Sequence, residues 1–286
     1  MKKFLFLLSL LCVNYLAVAQ KVSEPSSETH PDWSKPYPSF RIAGNLYYVG
    51  TTDLASYLIV TPKGNILINT GLASSASGIK TSIEALGFKL SDTKILLNTQ
   101  AHYDHMGAMA AIKKMTGAKL MVNEGDAAAV ADGGLSDYTS TGKVRDFEPV
   151  KVDRILHDRD TVKLGGMQLV MLNHPGHTKG SCSYLFDVKD EKQKYRVLIA
   201  NMPTIITDEK FSDVPAYPNI ARDYAYTLKA MKHLNFDIWL ASHASQFGLK
   251  DKHKPGSAYN PAAFSDKKGY DQEISDLQKE FDKKMK

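Results

Sequence analysis

The sequence predicts an α/β fold, a four-layer αβ/βα sandwich in which two mixed sheets are flanked by helices. Two observations predict it. Strand patterns and helix patterns follow one another in the same order in both halves of the chain, and the residues able to bind metal fall where strands end. No short repeat and no linker divides the chain, so residues 20–286 read as one α/β domain with a substantial core.

The first residues read as a targeting segment. Lys2 and Lys3 precede an apolar run from Phe4 to Leu11, and Ala17-Val18-Ala19 forms a small-residue cleavage motif. Residues 1–19 are therefore expected to be a secretory signal peptide, cleaved before Gln20. The apolar run is shorter than the ~20 residues of a spanning helix. A soluble periplasmic protein without a membrane anchor is expected. Cys12 leaves with the signal, so Cys182 stands alone, precludes an intramolecular disulfide and is expected to pack as a small apolar residue. The formal charge of +5 includes Lys2 and Lys3, and the other lysines are mixed with acids, which argues against a nucleic-acid partner.

Gln20 to Tyr37 is polar and rich in Ser, Pro and Glu, a loose leader in which Trp33 and Tyr37 are large aromatics expected to dock. The strand pattern begins at Arg41 and continues through Asn45–Gly50 and Ala55–Val60. A turn at Pro62-Lys63-Gly64-Asn65 then leads into Ile66–Asn69. Ile79, Ile83 and Leu86 share one face of a helix over Gly78–Leu86. Ile95-Leu96-Leu97-Asn98 reads as a buried strand, and Gly107–Met115 as a helix ended by Gly117. Val130–Lys151, with Gly133-Gly134 and Tyr138, reads as a pocket wall.

In the second half, Thr161–Leu164 and Met167–Leu172 flank Gly165-Gly166, a hairpin signal. Tyr184–Val188 and Tyr195–Ala200 are strands, Ile220–Leu234 an amphipathic helix, and Phe236–Leu240 a short strand leading to His243. Lys268–Lys284 is expected as a terminal helix that buries Ile274, Leu277 and Phe281.

Gln100-Ala101-His102-Tyr103-Asp104-His105 concentrates two imidazoles and a carboxylate, donors that suit zinc, on a strand-to-helix loop. Adjacent side chains leave such a loop in different directions, so His102 and the Asp104/His105 pair need not serve one metal. Two metals side by side is the natural reading. His177, in Gly176-His177-Thr178-Lys179-Gly180-Ser181, and His243, in Ala241-Ser242-His243, extend the pattern along the chain. A lone histidine is usually structural, and His30, His157, His174, His233 and His253 have no comparable context. Ser181 lacks a partner that would activate it and reads as structural.

With these motifs the chain resembles the metallo-β-lactamase superfamily, from Trp33 to His243. Phe40–Thr51 and Ala216–Tyr224 are similar to subclass B3 β-lactamases. The resemblance implies one metal held by the Gln100 position, His102 and His177, and a second held by Asp104, His105 and His243, with one or two Zn2+ per chain. Gln100 stands where a histidine is usual, as in the GOB-type branch of the subclass. A neutral amide is a weaker zinc donor than imidazole, and Gln100 either binds metal directly or hydrogen-bonds from behind. Asn69 stands where an aspartate usually supports the ligands.

The implied activity is zinc-dependent hydrolysis of the β-lactam amide of penicillins, cephalosporins and carbapenems by a metal-activated water, conferring antibiotic resistance. Asp104 would orient the water. Thr204, Ser245 and Lys179 are candidates to meet the substrate carboxylate, and Trp33 and Tyr37 either fold over the pocket of a monomer or pack on the sheet rim. A lactone or thioester hydrolase of the same superfamily is the alternative, but Ala200-Asn201-Met202-Pro203 offers no carboxylate where those members bridge their metals. A nuclease and a non-catalytic zinc-binding protein are further alternatives. The first lacks a basic groove, and the second rests only on Gln100 and Asn69.

Overall fold

The structure, a computed structural model, describes Val22, Glu24 and residues 29–191 and 193–286. The expected signal peptide, residues 1–19, lies outside the described residues. Among those described, no helix is long and apolar enough to cross a membrane. Seven strands form the first sheet in chain order: β1 (Phe40–Ala43), β2 (Leu46–Tyr48), β3 (Tyr57–Thr61), β4 (Gly64–Ile68), β5 (Thr93–Leu97), β6 (Lys119–Asn123) and β7 (Arg154–Leu156). The pairs from β1 to β4 are antiparallel and those from β4 to β7 parallel. The second sheet contains β8 (Thr161–Leu164), β9 (Met167–Asn173), β10 (Cys182–Lys189), β11 (Lys194–Ala200) and β12 (Ile238–Ala241), in the order β12-β11-β10-β9-β8. Only its β11–β12 pair is parallel.

Strand periodicity divides the core. Ile66, Ile68, Ile95 and Leu97 point toward the second sheet and join a cluster with Tyr184, Phe186 and Val197. Leu67 and Leu96 point the other way, onto α1 (Ser75–Ala85) and α3 (Met109–Thr116), against Ile79, Ile83, Met109 and Ile112. Because both faces are covered, the middle strands read as continuous apolar runs. Burying each such side chain stabilises the fold by about 1.5–3 kcal/mol. The second sheet is covered by α5 (Ile220–Met231) and α6 (Lys267–Lys284); Tyr270, Ile274, Leu277 and Phe281 form the buried stripe of α6. The four-layer expectation therefore holds, and α3 ends at Gly117 as expected, with φ 67° in the left-handed region that glycine occupies without strain.

Several elements differ from the sequence reading. The metal motif is a loop only as far as His102: α2 (Tyr103–Met106) forms because the His102 carbonyl accepts the N–H groups of His105 (3.0 Å) and Met106 (2.9 Å). β6, β7 and α4 (Ala127–Asp132) were not expected. β7 is three residues long, too short for its pattern to stand out. The Val130–Lys151 segment buries Phe147 and Val150 in the outer cluster and delivers Asp137 to the site. α1 begins at Ser75, α5 ends at Met231, and β12 runs to Ala241.

The two sheets are joined where their strands end. The Cys182 N–H donates to the Thr99 carbonyl (2.8 Å), the Tyr184 hydroxyl to Asn98 (3.0 Å), and the Tyr57 hydroxyl to Ala241 (2.6 Å). Thr99 and Ser242 hydroxyls pair at 2.8 Å. These bonds bring the segments after β5, β9 and β12 to one edge of the sandwich, and those segments carry the metal-binding residue types.

Candidate metal centre

His102 is extended (φ −101°, ψ 157°) and caps α2, whereas Asp104 and His105 lie within its first turn. Their side chains therefore diverge, as the spacing predicts. Asp104 Oδ2 lies 3.1 Å from His105 Nε2 and 3.2 Å from His243 Nε2. One ligand atom from each of the three falls within 4.8 Å of the others, a group able to hold a metal ion. On the other side of the motif, the His102 and His177 rings stand 5.0 Å apart at 62°.

Buried donors without partners mark the same place. Gln100 Oε1, His102 Nε2 and both nitrogens of His105 are buried without a well-formed hydrogen bond. An unpaired buried polar atom costs about 1–3 kcal/mol; His102 Nε2 turns to Asp137, and the other three atoms on this six-residue motif fit a site completed by a metal ion. Nitrogen and carboxylate donors at these positions fit zinc.

Three of the histidines are held from behind through the nitrogen turned away from the cluster. His243 Nδ1 lies 3.1 Å from Asp53 Oδ2, and His177 Nδ1 2.8 Å from the Thr204 carbonyl. His102 Nε2 faces Asp137 Oδ1 at 3.5 Å, and Asp137 is itself fixed by the Thr139 N–H at 2.9 Å. Such partners set the tautomer and direction of a ligand. Neither Asp53 nor Asp137 was found from the sequence; each lies outside every motif, and only proximity in the fold reveals it.

The electrostatics of these side chains follow from this pairing. Burial disfavours the charge on Asp104, yet His105 and His243 outweigh it and hold its carboxyl well below the usual range. Burial likewise opposes charge on His243, but hydrogen bonds to Asp104 and Asp53 raise it to about 9. His177 is pushed down to about 3, by burial first and then by neighbouring His102. Burial also opposes charge on Asp137, whose bond to His102 lowers it to about 2.

The metallo-beta-lactamase superfamily model matches residues 50–190. A class B3 di-zinc metallo-beta-lactamase, LRA-12 from an Alaskan soil metagenome, is 66% identical, with a TM-score of 0.91 over 93% of this chain and 100% of that one. The chain belongs to the metallo-beta-lactamase superfamily.

Two further proteins are similar at lower identity. The metallo-beta-lactamase GOB-18 of Elizabethkingia meningoseptica is 57% identical, with a TM-score of 0.92 over 93% of this chain and 98% of that one. A hydroxyacylglutathione hydrolase of Bradyrhizobium sp. (strain ORS 278) is 32% identical over 136 residues, 48% of this chain. The chain spans 44% of that curated relative's length.

Within this superfamily fold the remaining expected residues fall in different places. Trp33 stands at the centre: its ring lies 5.7 Å from His243 and 6.2 Å from Tyr103, and its indole N–H donates to Asp53 Oδ2 (3.1 Å). Tyr37 does not fold over the site. It is buried against Phe40 and Tyr48, with its hydroxyl donating to the His253 carbonyl (2.6 Å). Thr204 turns both its carbonyl and its hydroxyl (3.0 Å) to His177 Nδ1. Ser245 is exposed, and its N–H donates to Asp53 Oδ1 (2.9 Å). The Lys179 ammonium sits 5.7 Å over the Tyr217 ring.

Asn69 supports no histidine side chain. It accepts the Thr99 N–H (2.9 Å) at a left-handed φ of 60°, a conformation asparagine tolerates. His105 is instead secured by its carbonyl, which accepts from the Thr70 N–H (2.9 Å). Ser181 pairs with Thr178 at 2.8 Å, the structural role expected. Burial pushes the Cys182 thiol up to about 12, so it packs as an unreactive side chain.

Proposed function

We propose that this chain is a zinc-dependent hydrolase of the class B3 type that opens the amide bond of β-lactams. The observation that carries the reading is the set of unpaired buried atoms on the Gln100–His105 motif, opposite His177 and His243. One ion is assigned to Asp104, His105 and His243, and a second to Gln100, His102 and His177. Gln100 is assigned a direct contact, because its amide oxygen is buried with no protein partner.

Bound zinc lowers the pKa of a coordinated water to about 7 and polarises a carbonyl. The chain's own residues orient and enclose that chemistry. Asp104 is ionised and buried, placed to align the attacking water. Thr204 and Asp53 fix the rings of His177 and His243, and Trp33 walls the site near His243. Lys179 and Ser245 are the side chains assigned to the substrate carboxylate. The signal sequence supports export to the periplasm, where β-lactams act on bacteria.

Similarity to a hydroxyacylglutathione hydrolase favours a thioester as the second substrate class. Asn201 weighs against it: the position offers an amide, with Oδ1 accepting from the Ser242 hydroxyl (3.1 Å), in place of a bridging carboxylate. The test is hydrolysis of a penicillin, a cephalosporin, a carbapenem and a glutathione thioester by residues 20–286, with and without a zinc chelator. β-Lactam turnover that chelation abolishes and zinc restores is expected. Thioester turnover alone, in folded zinc-loaded protein, would replace this reading by the second.

A further inference from the structure

Asp53 lies in the turn between β2 and β3, 190 residues from His243. Its carboxylate accepts three hydrogen bonds. Oδ2 takes the His243 Nδ1–H (3.1 Å) and the Trp33 indole N–H (3.1 Å), and Oδ1 takes the Ser245 N–H (2.9 Å). Its backbone is tied to the same two segments: its N–H donates to the Asp32 carbonyl (3.2 Å), and its carbonyl accepts from Ala244 (2.6 Å). Leu54 forms an isolated antiparallel bridge to His243.

This arrangement has a chemical consequence. An ionised carboxylate is an acceptor only, with room for all three donors. Holding Nδ1 as the donor leaves Nε2 of His243 as the lone-pair nitrogen, and Nε2 is the atom that faces Asp104. The same oxygen that sets this tautomer also holds the Trp33 ring beside His243. An asparagine could not substitute, because its NH2 would confront either the Ser245 N–H or the His243 and Trp33 N–H groups.

We infer that Asp53 is a positioning residue that sets the tautomer of His243 for metal binding and, through the shared Oδ2, couples metal occupancy to the placement of Trp33. The inference rests on the reading of His243 as a metal ligand. A role confined to tethering the Trp33 segment would leave metal affinity untouched, so affinity is the deciding quantity.

The experiment is zinc titration of the wild type, Asp53→Asn and Trp33→Phe against a chromophoric chelator, with tryptophan emission followed in parallel. The chain has two tryptophans, and Trp239 is buried in the core, so Trp33 carries the site-dependent signal. Asp53→Asn is expected to weaken zinc binding by roughly 10–100-fold and to abolish the zinc-dependent change in emission. Trp33→Phe is expected to keep affinity within about 3-fold, since the His243 bond survives. Wild-type affinity in a folded Asp53→Asn variant would overturn the inference while leaving the proposed function standing. A wild type that binds no zinc would remove both.

Should Asp53→Asn fail to fold, proton NMR of the zinc-loaded wild type decides. An exchange-protected imidazole N–H of His243 with a cross-peak to the Trp33 indole N–H is expected, and its absence would overturn the coupling.

Discussion

The two halves of the candidate centre are built from one motif yet differ in charge. Asp104, His105 and His243 gather around a carboxylate oxygen that lies 3.1 and 3.2 Å from the two imidazoles. Gln100, His102 and His177 have no anion among them; the nearest carboxylate, Asp137, stands behind His102. The two strand-end histidines, His243 between two carboxylates and His177 against a backbone carbonyl, therefore respond oppositely. His243 is raised to about 9 and His177 lowered to about 3. A carboxylate beside an imidazole favours its charged form, whereas His177, bonded to the Thr204 carbonyl, is left to burial and to neighbouring His102.

The strongest way to break this contrast is to remove the anion. Asp104→Asn is expected to lower β-lactam turnover by about 10³-fold, the scale of losing one electrostatic group at a reacting centre, and to lower bound zinc measured by atomic absorption. Unchanged zinc content in that variant would show that the carboxylate does not organise its set.

Next in size is a pH effect on the metal-free protein. His243 has its pKa raised on folding, so its contribution is fully present below the unfolded value near 6.5 and is lost as pH rises through about 9. Urea unfolding of zinc-free protein should lose about 3 kcal/mol across that window, and His243→Gln should lack this component. His177, with a lowered pKa, acts oppositely: its contribution is present above 6.5 and is lost as pH falls toward about 3.

A smaller effect tests support from behind. Asp137→Asn should weaken zinc at the Gln100–His102–His177 set by roughly 10–100-fold, and leave the other set within about 3-fold, by competitive titration. Equal losses at both sets would mean that Asp137 acts through general charge. The smallest expected change erases the contrast from the other direction. Gln100→His replaces an amide by imidazole and should tighten zinc at that set by about 10-fold, bringing the two titration steps together.

Much of this was legible in the chain because the information is local. Ile95-Leu96-Leu97 announces a buried strand, Gly117 the end of α3, and Gly165-Gly166 a hairpin, since each is decided by neighbouring residues. Trp33 lies beside His243 and Tyr37 packs into the core, although both stand in one polar leader. Tyr37 found a core pocket beside Phe40 and Tyr48, and no local feature separates the two aromatics. Short strands such as β7, whose pattern spans three residues, have too little periodicity to declare themselves.

By itself, the sequence determined the donor types, their grouping around one strand-to-helix junction, and the layered α/β architecture. Periodicity and spacing are properties of adjacent residues. Only the tertiary structure decided which carboxylate stands behind which histidine. Asp53 and His243 are 190 residues apart and meet because the end of β12 folds against the turn before β3. A hydrogen bond depends on distance and angle, and the folded chain alone supplies those.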